Sequence, residues 1–208
     1  MISSSEFPRQ NKVMAQPRRL VLASTSSYRK ELLRRLGLRF EVAGPAIDEA
    51  PLKGEVPADT ALRLAALKAR SIQAAFDDAL IIGSDQVAAA GSLRLDKPGN
   101  HANALKQLGS LSGKSAEFHT AVALLDARNG QLQSRVVLCR VQFRTLERAQ
   151  IERYLEREQP FDCAGSAKAE GLGIALIARM ETDDPTSLIG LPLIALTEML
   201  ERAGLPVV

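Results

Sequence analysis

The chain has few of the residues that mark special classes of protein. It contains no tryptophan, two histidines and two cysteines among 208 residues, and aromatic residues make up only 4%. Cys139 and Cys163 lie at no spacing typical of a metal site, which favours free thiols in a reducing cytoplasm. No run of about 18 apolar residues and no secretory signal is present. We therefore expect a cytoplasmic protein with no membrane partner.

The excess of positive charge is confined to the N-terminal end. Of the 27 basic and 24 acidic residues, four and one lie within residues 1–19, so the rest of the chain is balanced. No basic stripe with interleaved aromatic residues is present, and we expect no nucleic acid polymer as a partner. Residues 1–17 are polar and serine-rich, which predicts a disordered extension before a single domain over residues 18–208. Met14 is an alternative start.

Apolar periodicity predicts strands and helices that mix along the chain. Strands are predicted over residues 20–23, 39–43, 80–90, 93–96, 117–125, 131–143 and 173–180, and helices over 28–36, 58–76, 100–108, 147–157 and 191–202. Asn129-Gly130 is the strongest hairpin signal. With 46% hydrophobic residues, the chain can bury a sizeable core. The pattern predicts an α/β fold with a mixed sheet.

Four hydroxyl residues, Ser24 to Ser27, join the first strand to the first helix. The N-terminus of a helix offers free N–H groups and a positive dipole end, which bind phosphate. Arg29, in the first turn, can add a bidentate clamp on phosphate oxygens. A serine that only caps the helix, with a solvated Arg29, explains the same residues. Both interpretations are open from this segment alone.

Asp85 interrupts an apolar run, in the sequence Ile81-Ile82-Gly83-Ser84-Asp85-Gln86-Val87. A buried carboxylate is costly unless it is paired, hydrogen-bonded or bound to a metal. At the end of a central strand, Asp85 is well placed to hold a metal or to take a proton from water. The alternative is a turn with a capping aspartate.

Three further segments carry candidate polar residues. The Asp48-Glu49 pair can ligate Mg²⁺ or be solvated loop charge. Lys68 stands beside the apolar stripe of its helix, which suits either a snorkelling lysine or one that points into a polar cleft. Lys97 follows a predicted strand and can reach a phosphate or stay a loop charge. The small residues of Cys163-Ala164-Gly165-Ser166-Ala167-Lys168-Ala169-Glu170-Gly171 suit a loop that closes on a ligand.

These segments together resemble the Maf-like nucleotide pyrophosphatases, also called septum-formation-inhibitor proteins. The resemblance runs from Arg19 to the C-terminus and rests on LASTSSYRKELL, the Asp48-Glu49 pair, LRLAALKA, IIGSDQV, LDKP, CAGSAKAEG and SLIGLPL. It implies an α/β fold of the Maf and inosine-triphosphatase type, in which helices flank a mixed, twisted sheet and two lobes enclose a central cleft. It also implies hydrolysis of a nucleoside triphosphate to a monophosphate and diphosphate with a divalent cation (Mg²⁺, Mn²⁺ or Co²⁺), and it suggests a homodimer.

The GSDQV and SAKAEG segments resemble the subgroup that acts on 7-methyl-GTP. The resemblance implies that Asp85 is the proton acceptor, and that the base is selected by Tyr28, Gln86 and Glu170. It implies polar contacts to the substrate from Ser24, Ser26, Arg29, Lys68 and Lys97, with Glu49 and Asp85 at the metal. Glu170 can accept two hydrogen bonds from the guanine edge, and the methylated, cationic base favours an aromatic face.

Two residues depart from the subgroup pattern, which has Trp at the position of Tyr28 and a second Arg at that of Lys30. Tyrosine is a weaker partner for a cation than tryptophan, and lysine lacks the bidentate fork of arginine. Hydrolysis of dTTP, UTP or another modified nucleotide is the alternative activity. A regulator of cell division without catalysis is an alternative of a different class.

Overall fold

The computed structural model describes residues 17–208, and within them a seven-stranded sheet is flanked by five α-helices. The strands are β1 (Leu20–Ala23), β2 (Glu41–Ala43), β3 (Leu80–Ala90), β4 (Leu93–Arg94), β5 (Ser115–Asp126), β6 (Gln131–Phe143) and β7 (Ile177–Thr182). The helices are α1 (Ser27–Arg34), α2 (Pro57–Ser71), α3 (His101–Leu111), α4 (Arg148–Glu158) and α5 (Leu193–Arg202). Apart from Pro17, the predicted disordered extension (residues 1–17) and the alternative start at Met14 lie outside the described residues.

The sheet is mixed, as the sequence predicts. Its order is β2-β1-β3-β5-β6-β7, with β4 paired to β3. β1 pairs in parallel with both β2 and β3, whereas β3, β5, β6 and β7 are antiparallel neighbours. Gly130 takes a positive φ of 73° in the β5–β6 turn, which confirms the hairpin at Asn129-Gly130. The predicted α/β fold is confirmed.

The long strands β3 and β5 connect two hydrophobic clusters, which form two lobes. In the first, Leu22 of β1, Ile82 of β3 and Leu196 of α5 are buried together. In the second, Phe118 of β5 packs with residues of α3 and α4 such as Leu108. A cleft opens between the two lobes, above the carboxyl end of β1. Within the described range, no helix is long and apolar enough to cross a membrane.

Gly83 lets α2 approach β3 unusually closely. A Cβ atom at this position would overlap the carbonyl oxygen of Ala65 and lie 2.8 Å from the backbone nitrogen of Ala69. Because successive side chains of a strand point to opposite faces of the sheet, Asp85 lies on the same face as Gly83. The close contact between α2 and β3 therefore brings this helix directly against the face that carries Asp85.

Several predicted elements have different bounds in the structure, among them α2, β4 and β7. α2 ends at Ser71, and a separate 3₁₀ turn follows over Gln73–Ala75. β4 contains two residues, Leu93 and Arg94, which pair with Ala90 and Ala89 of β3. The Leu95 N–H still donates to the Ala88 carbonyl (2.8 Å), and the Leu95 side chain is buried in the second lobe. The strand predicted over 173–180 begins only at Ile177, since Leu172–Leu176 is a 3₁₀ segment. The Gly173 N–H in this segment donates to the Lys168 carbonyl and not to a neighbouring strand.

Candidate active site

The hydroxyl residues after β1 both cap α1 and line the cleft. The Ser26 hydroxyl accepts a hydrogen bond from the Arg29 N–H (3.4 Å), and the Ser24 hydroxyl accepts one from the Ser26 N–H (3.2 Å). The capping interpretation is therefore correct for Ser26. The segment from Ser24 to Arg29 also forms one wall of the cleft, so the cap and the candidate phosphate site are the same turn.

Arg29 is held in this wall from two sides. Its Nε donates to the Gly190 carbonyl (2.8 Å) and its Nη1 lies 3.4 Å from the Ser24 hydroxyl. Burial lowers the pKa of the guanidinium, and the nearby Asp85 and Glu49 carboxylates oppose that shift. Since a guanidinium carries five N–H donors, Arg29 keeps donors for an anion in the cleft. A solvated Arg29 is ruled out.

Lys68 of α2 joins the two candidate acidic residues. Its Nζ lies 2.7 Å from Asp85 Oδ1 and 2.9 Å from Glu49 Oε1. Lys68 is only 5% exposed, and it belongs to the buried stripe of α2 with Ala65 and Ala69. The snorkelling interpretation is therefore wrong, and the lysine points into the polar cleft. An ammonium has three donors, so one remains beyond its two carboxylate partners.

Asp85 lies within β3 and not at its end, which corrects the sequence prediction and excludes a capping turn. β3 continues to Ala90, but its parallel partner stops earlier, because Ala23, the last residue of β1, pairs with Gly83. On its other side, Asp85 pairs with Ala121 of β5. The carboxylate therefore projects just beyond the end of β1, into the cleft, where it is 6% exposed.

Glu49 reaches the cleft from the loop between β2 and α2. This loop is fastened to α2 by Arg63, which donates to the Ala50 carbonyl (3.1 Å) and contacts Glu55 (2.6 Å). The Glu49 side chain itself is 57% exposed, and its contact with Lys68 is its link to the buried site. Lys97 lines the rim of the same cleft after β4 and is exposed.

Tyr28 connects the wall formed by residues 24–29 to the loop before Glu170. The Tyr28 hydroxyl donates to Asp162 Oδ1 (3.1 Å), and the Cys163 thiol donates to the Tyr28 oxygen (3.5 Å). Burial, followed by the Cys163 and Asp162 contacts, raises the pKa of Tyr28. Burial also raises the pKa of the Cys163 thiol to about 11, which keeps it protonated at neutral pH. A tryptophan has no hydroxyl, so this tether depends on tyrosine.

Glu170 lies on the rim of the cleft in an exposed turn. Gly165 precedes this turn with a φ of +71°, and a Cβ atom there would lie 3.0 Å from the Phe118 ring. The glycine therefore lets the loop lie against the core of the second lobe. Closure of this loop on a ligand stays a prediction. The structure brings Glu170 and Tyr28 to the same cleft as Asp85.

Gln86 and Ser84 lie on the face of β3 opposite Asp85 and hold the segment before α5. Gln86 Nε2 is 3.0 Å from each of the carbonyl oxygens of Ser187 and Leu188. The fully buried Ser84 hydroxyl donates to the Gly190 carbonyl (3.0 Å), the same oxygen that accepts from Arg29. The Gln86 amide nitrogen is thus engaged with the protein, and Ser84 fixes the carbonyl that orients Arg29.

Replacing Ser84 by alanine should lower kcat/KM for the nucleoside triphosphate that the family resemblance implies by about 5- to 10-fold, because the Gly190 carbonyl loses one of its two donors and Arg29 loses its fixed partner. Unfolding free energy should fall by about 1 kcal/mol. Steady-state kinetics and urea unfolding measure the two effects. The exposed Ser110, whose hydroxyl donates to the Gln107 carbonyl in α3, is the control. Unchanged kcat/KM in Ser84→Ala would contradict the positioning role.

The cleft as a whole has a volume of about 650 Å³ and a highly polar lining, a size typical of small-molecule sites. Cationic and anionic side chains both line it, and they are Arg29, Lys68, Arg94, Lys97, Glu49, Asp85, Asp96, Asp162 and Glu170. Among residues 17–208, no three His, Cys, Asp or Glu side chains form a metal-binding group. Glu49 and Asp85 do meet at one point, the Lys68 ammonium. Two carboxylates suit Mg²⁺, which completes its coordination with water and substrate phosphates.

Comparison with known families covers nearly the whole of the described chain. The family model described as Maf-like protein matches residues 19–203. The chain belongs to the Maf-like protein family. The family assignment made from the sequence is therefore confirmed, and the matched range includes every site residue described above.

Three similar proteins carry the name 7-methyl-GTP pyrophosphatase. The protein of that name from Thiobacillus denitrificans is 57% identical over 188 residues, which is 90% of this chain and 94% of the relative. The one from Paraburkholderia xenovorans is 55% identical over 194 residues, or 92% and 95% of the two chains. The one from Cupriavidus metallidurans is 56% identical over 187 residues, or 90% and 94%.

Solved structures of Ham1 proteins show a more distant likeness. The Staphylococcus aureus Ham1 protein has a TM-score of 0.42 and 16% identity, covering 60% of this chain and 71% of that one. The HAM1 protein from Coxiella burnetii has the same TM-score and 19% identity, with coverage of 60% and 72%.

Residues of the site that were not predicted from the sequence include Asp162, Gly190 and Ser84. Asp162 precedes the loop singled out for its small residues, and it is found only through its bond to Tyr28. Gly190 stands within the SLIGLPL segment, but its carbonyl gives no signal in the sequence. Ser84 had a usable signal, because it is a polar residue next to Asp85 inside a buried strand.

Proposed function

We propose that this Maf-like protein hydrolyses 7-methyl-GTP to 7-methyl-GMP and diphosphate. The observation that carries the proposal is the contact of the Lys68 ammonium with both Asp85 and Glu49, at the base of a cleft that Tyr28 and Glu170 also line. This arrangement puts a buried carboxylate, a cation and base-binding groups in one site. The names of the similar proteins support the same substrate.

In the proposed mechanism, Asp85 orients a water molecule and takes its proton as the oxygen attacks the α-phosphorus, and diphosphate leaves. Positioned general bases contribute about 10²- to 10⁴-fold to such reactions. The buried environment of Asp85, 6% exposed, limits competing water. The carboxylate is fixed by Lys68, so its free oxygen can face the cleft.

The phosphate chain would lie between the two lobes. Arg29, with donors left after its bonds to Gly190 and Ser24, would bind phosphate oxygens together with the N–H groups of the capped turn. Lys68 and Lys97 would add positive charge from the other walls. Glu49 and Asp85 would hold a divalent cation, which when bound neutralises phosphate charge.

The base would be selected on the Tyr28 and Glu170 side of the cleft. Glu170 is exposed and can accept two hydrogen bonds from the Watson–Crick edge of guanine. The Tyr28 ring, fixed at its hydroxyl by Asp162, offers an aromatic face to the cationic 7-methylguanine. A cation on an aromatic face is stabilised by about 0.5 to 2 kcal/mol. Gln86 would act through the segment that it holds before α5.

Diphosphate release from 7-methyl-GTP, GTP, UTP and dTTP tests this proposal, with Mg²⁺, Mn²⁺ and Co²⁺ each supplied in turn. We expect kcat/KM for 7-methyl-GTP to exceed that for GTP by about 2- to 30-fold, since one cation–aromatic contact separates the two substrates. A preference for UTP or dTTP would replace the proposed substrate with the alternative. Absence of diphosphate release from every nucleotide would favour a regulator without catalysis.

A divalent cation and a homodimer stay predictions from the family resemblance, and a cytoplasmic location stays a prediction from the sequence. The cation series in the same assay ranks the three metals. Equilibrium sedimentation of the full chain measures the oligomeric state.

A further inference from the structure

The turn that carries Glu170 is held at both ends by one side chain. Glu158, the last residue of α4, accepts hydrogen bonds from the Lys168 ammonium (2.8 Å) and from the Leu172 N–H (2.7 Å). These two donors flank Glu170 in the chain, and each uses a different oxygen of the Glu158 carboxylate. The Glu158 side chain is 12% exposed. Its bond to Lys168 is partly buried, and its bond to Leu172 lies at the exposed side of the turn.

The backbone of this turn is shaped to fit the Glu158 carboxylate. The Lys168 carbonyl accepts from the N–H groups of both Gly171 and Gly173, each at 3.0 Å, which closes the turn around Glu170. A Cβ atom on Gly171 would lie 2.6 Å from Glu158 Oε2. Glycine is therefore required next to Glu170 for the carboxylate to sit under the turn.

The same ion pair also reaches Tyr28. The Lys168 ammonium, held by Glu158, lies 6.0 Å from the centre of the Tyr28 ring. The Lys168 N–H donates to the Tyr154 hydroxyl (3.0 Å), which ties the start of the turn to α4 a second time. Glu158 thus fixes the Lys168 ammonium beside the Tyr28 ring and the two ends of the turn that carries Glu170. These are the two groups proposed to contact the base.

The position of Glu158 within α4 is unfavourable for the helix alone. A carboxylate in the last turn faces the negative end of the helix dipole, where lysine and arginine are preferred. The Lys168 hydrogen bond, followed by that of Leu172, lowers the pKa of Glu158, so its charge persists at neutral pH. A residue that breaks a local preference while serving a distant turn is typical of a functional role.

We propose that Glu158 is a positioning residue for base selection, which holds the Glu170 turn and the Lys168 ammonium in place through its two carboxylate oxygens. This inference rests on the proposed function, because Glu170 selects a base only if the cleft binds a nucleotide. Glu158 itself contacts no substrate in this scheme. Its loss should therefore change substrate preference and leave the hydrolytic step intact.

The test compares kcat and KM for 7-methyl-GTP and UTP in the full-length wild type, Glu158→Ala and Glu158→Gln. In Glu158→Ala, the ratio of kcat/KM for 7-methyl-GTP to that for UTP should fall about tenfold, through KM for 7-methyl-GTP. Glu158→Gln still offers an oxygen to the Leu172 N–H, so its ratio should fall less, about threefold. Glu152→Ala removes a carboxylate of the same helix that pairs with Arg148 at 2.8 Å, and it should keep the wild-type ratio.

Two results would overturn the inference, and they are distinguishable. A wild type that prefers UTP refutes the proposed function, and the inference with it. If the wild type prefers 7-methyl-GTP but Glu158→Ala keeps a ratio of the two kcat/KM values within twofold of the wild-type ratio, the inference alone is refuted. This holds even if the melting temperature of Glu158→Ala falls. If Glu158→Ala does not fold, an unchanged ratio in Glu158→Gln gives the same refutation.

Discussion

Asp85→Asn should lower kcat for 7-methyl-GTP by about a thousandfold or more, because the amide cannot take the proton of the attacking water. Unfolding free energy should fall by no more than about 1 kcal/mol. The asparagine oxygen can still accept from Lys68, and Lys68 keeps its contact with Glu49. Rapid-quench kinetics and urea unfolding of the same preparation measure both quantities.

A carboxylate elsewhere on the sheet provides a matched control for this variant. Asp126, at the end of β5, is bonded to Arg18 at 2.8 Å and lies far along the strand from the cleft, opposite Leu80. Asp126→Asn should lower stability and leave kcat within about twofold of wild type. Near-normal turnover in Asp85→Asn would remove this residue from the catalytic role.

Lys68→Met should damage both stability and activity. It leaves the buried Asp85 carboxylate without its cation, a change that costs about 3 to 5 kcal/mol of unfolding free energy. It also removes positive charge from the proposed phosphate site, so kcat/KM should fall by about 10²- to 10³-fold. Thermal or urea unfolding and steady-state kinetics provide the two measurements.

The double variant Lys68→Met/Asp85→Asn separates these two effects. Removing the charge of both partners should restore most of the lost stability, since no buried charge is left unpaired, while activity stays absent. Lys68→Met should lose more unfolding free energy than Asp85→Asn, because the asparagine side chain keeps a hydrogen bond to Lys68 and the methionine side chain keeps none to Asp85. Additive losses of stability in the double variant would show that the two groups do not interact, against the 2.7 Å contact.

The elements around Asp85 follow from local patterns in the sequence. Leu80–Ala90 and Leu20–Ala23 are strands as predicted, because continuous apolar runs of this length have few other stable arrangements in a folded core. The polar residues in the β3 run indicated a functional site. Their division between two faces, Asp85 toward α2 and Ser84 toward Gly190, follows from strand alternation once the strand is known to continue.

Other parts of the site depend on contacts between distant segments, which local patterns do not encode. Tyr28 and Asp162 are separated by 134 positions, and Ser84 and Gly190 by 106. The 3₁₀ segment Leu172–Leu176 replaces the first part of the strand predicted over 173–180 for the same reason, since its Leu172 N–H is held by Glu158 of α4. Apolar periodicity carries no information about a hydrogen bond to another element. The sequence therefore predicted that small residues form a loop here, but not the path of its backbone.

The close approach of α2 to β3 at Gly83 has a consequence for hydrogen exchange. Lys68 and Asp85 lie on two elements whose backbones touch and whose neighbours, such as Ala65 and Ile82, are fully buried. Local opening cannot separate such elements without exposing the core, so amide protons in this part of β3 should exchange only through global unfolding. The lysine and the aspartate are therefore brought together when the core folds, and they separate only when it unfolds.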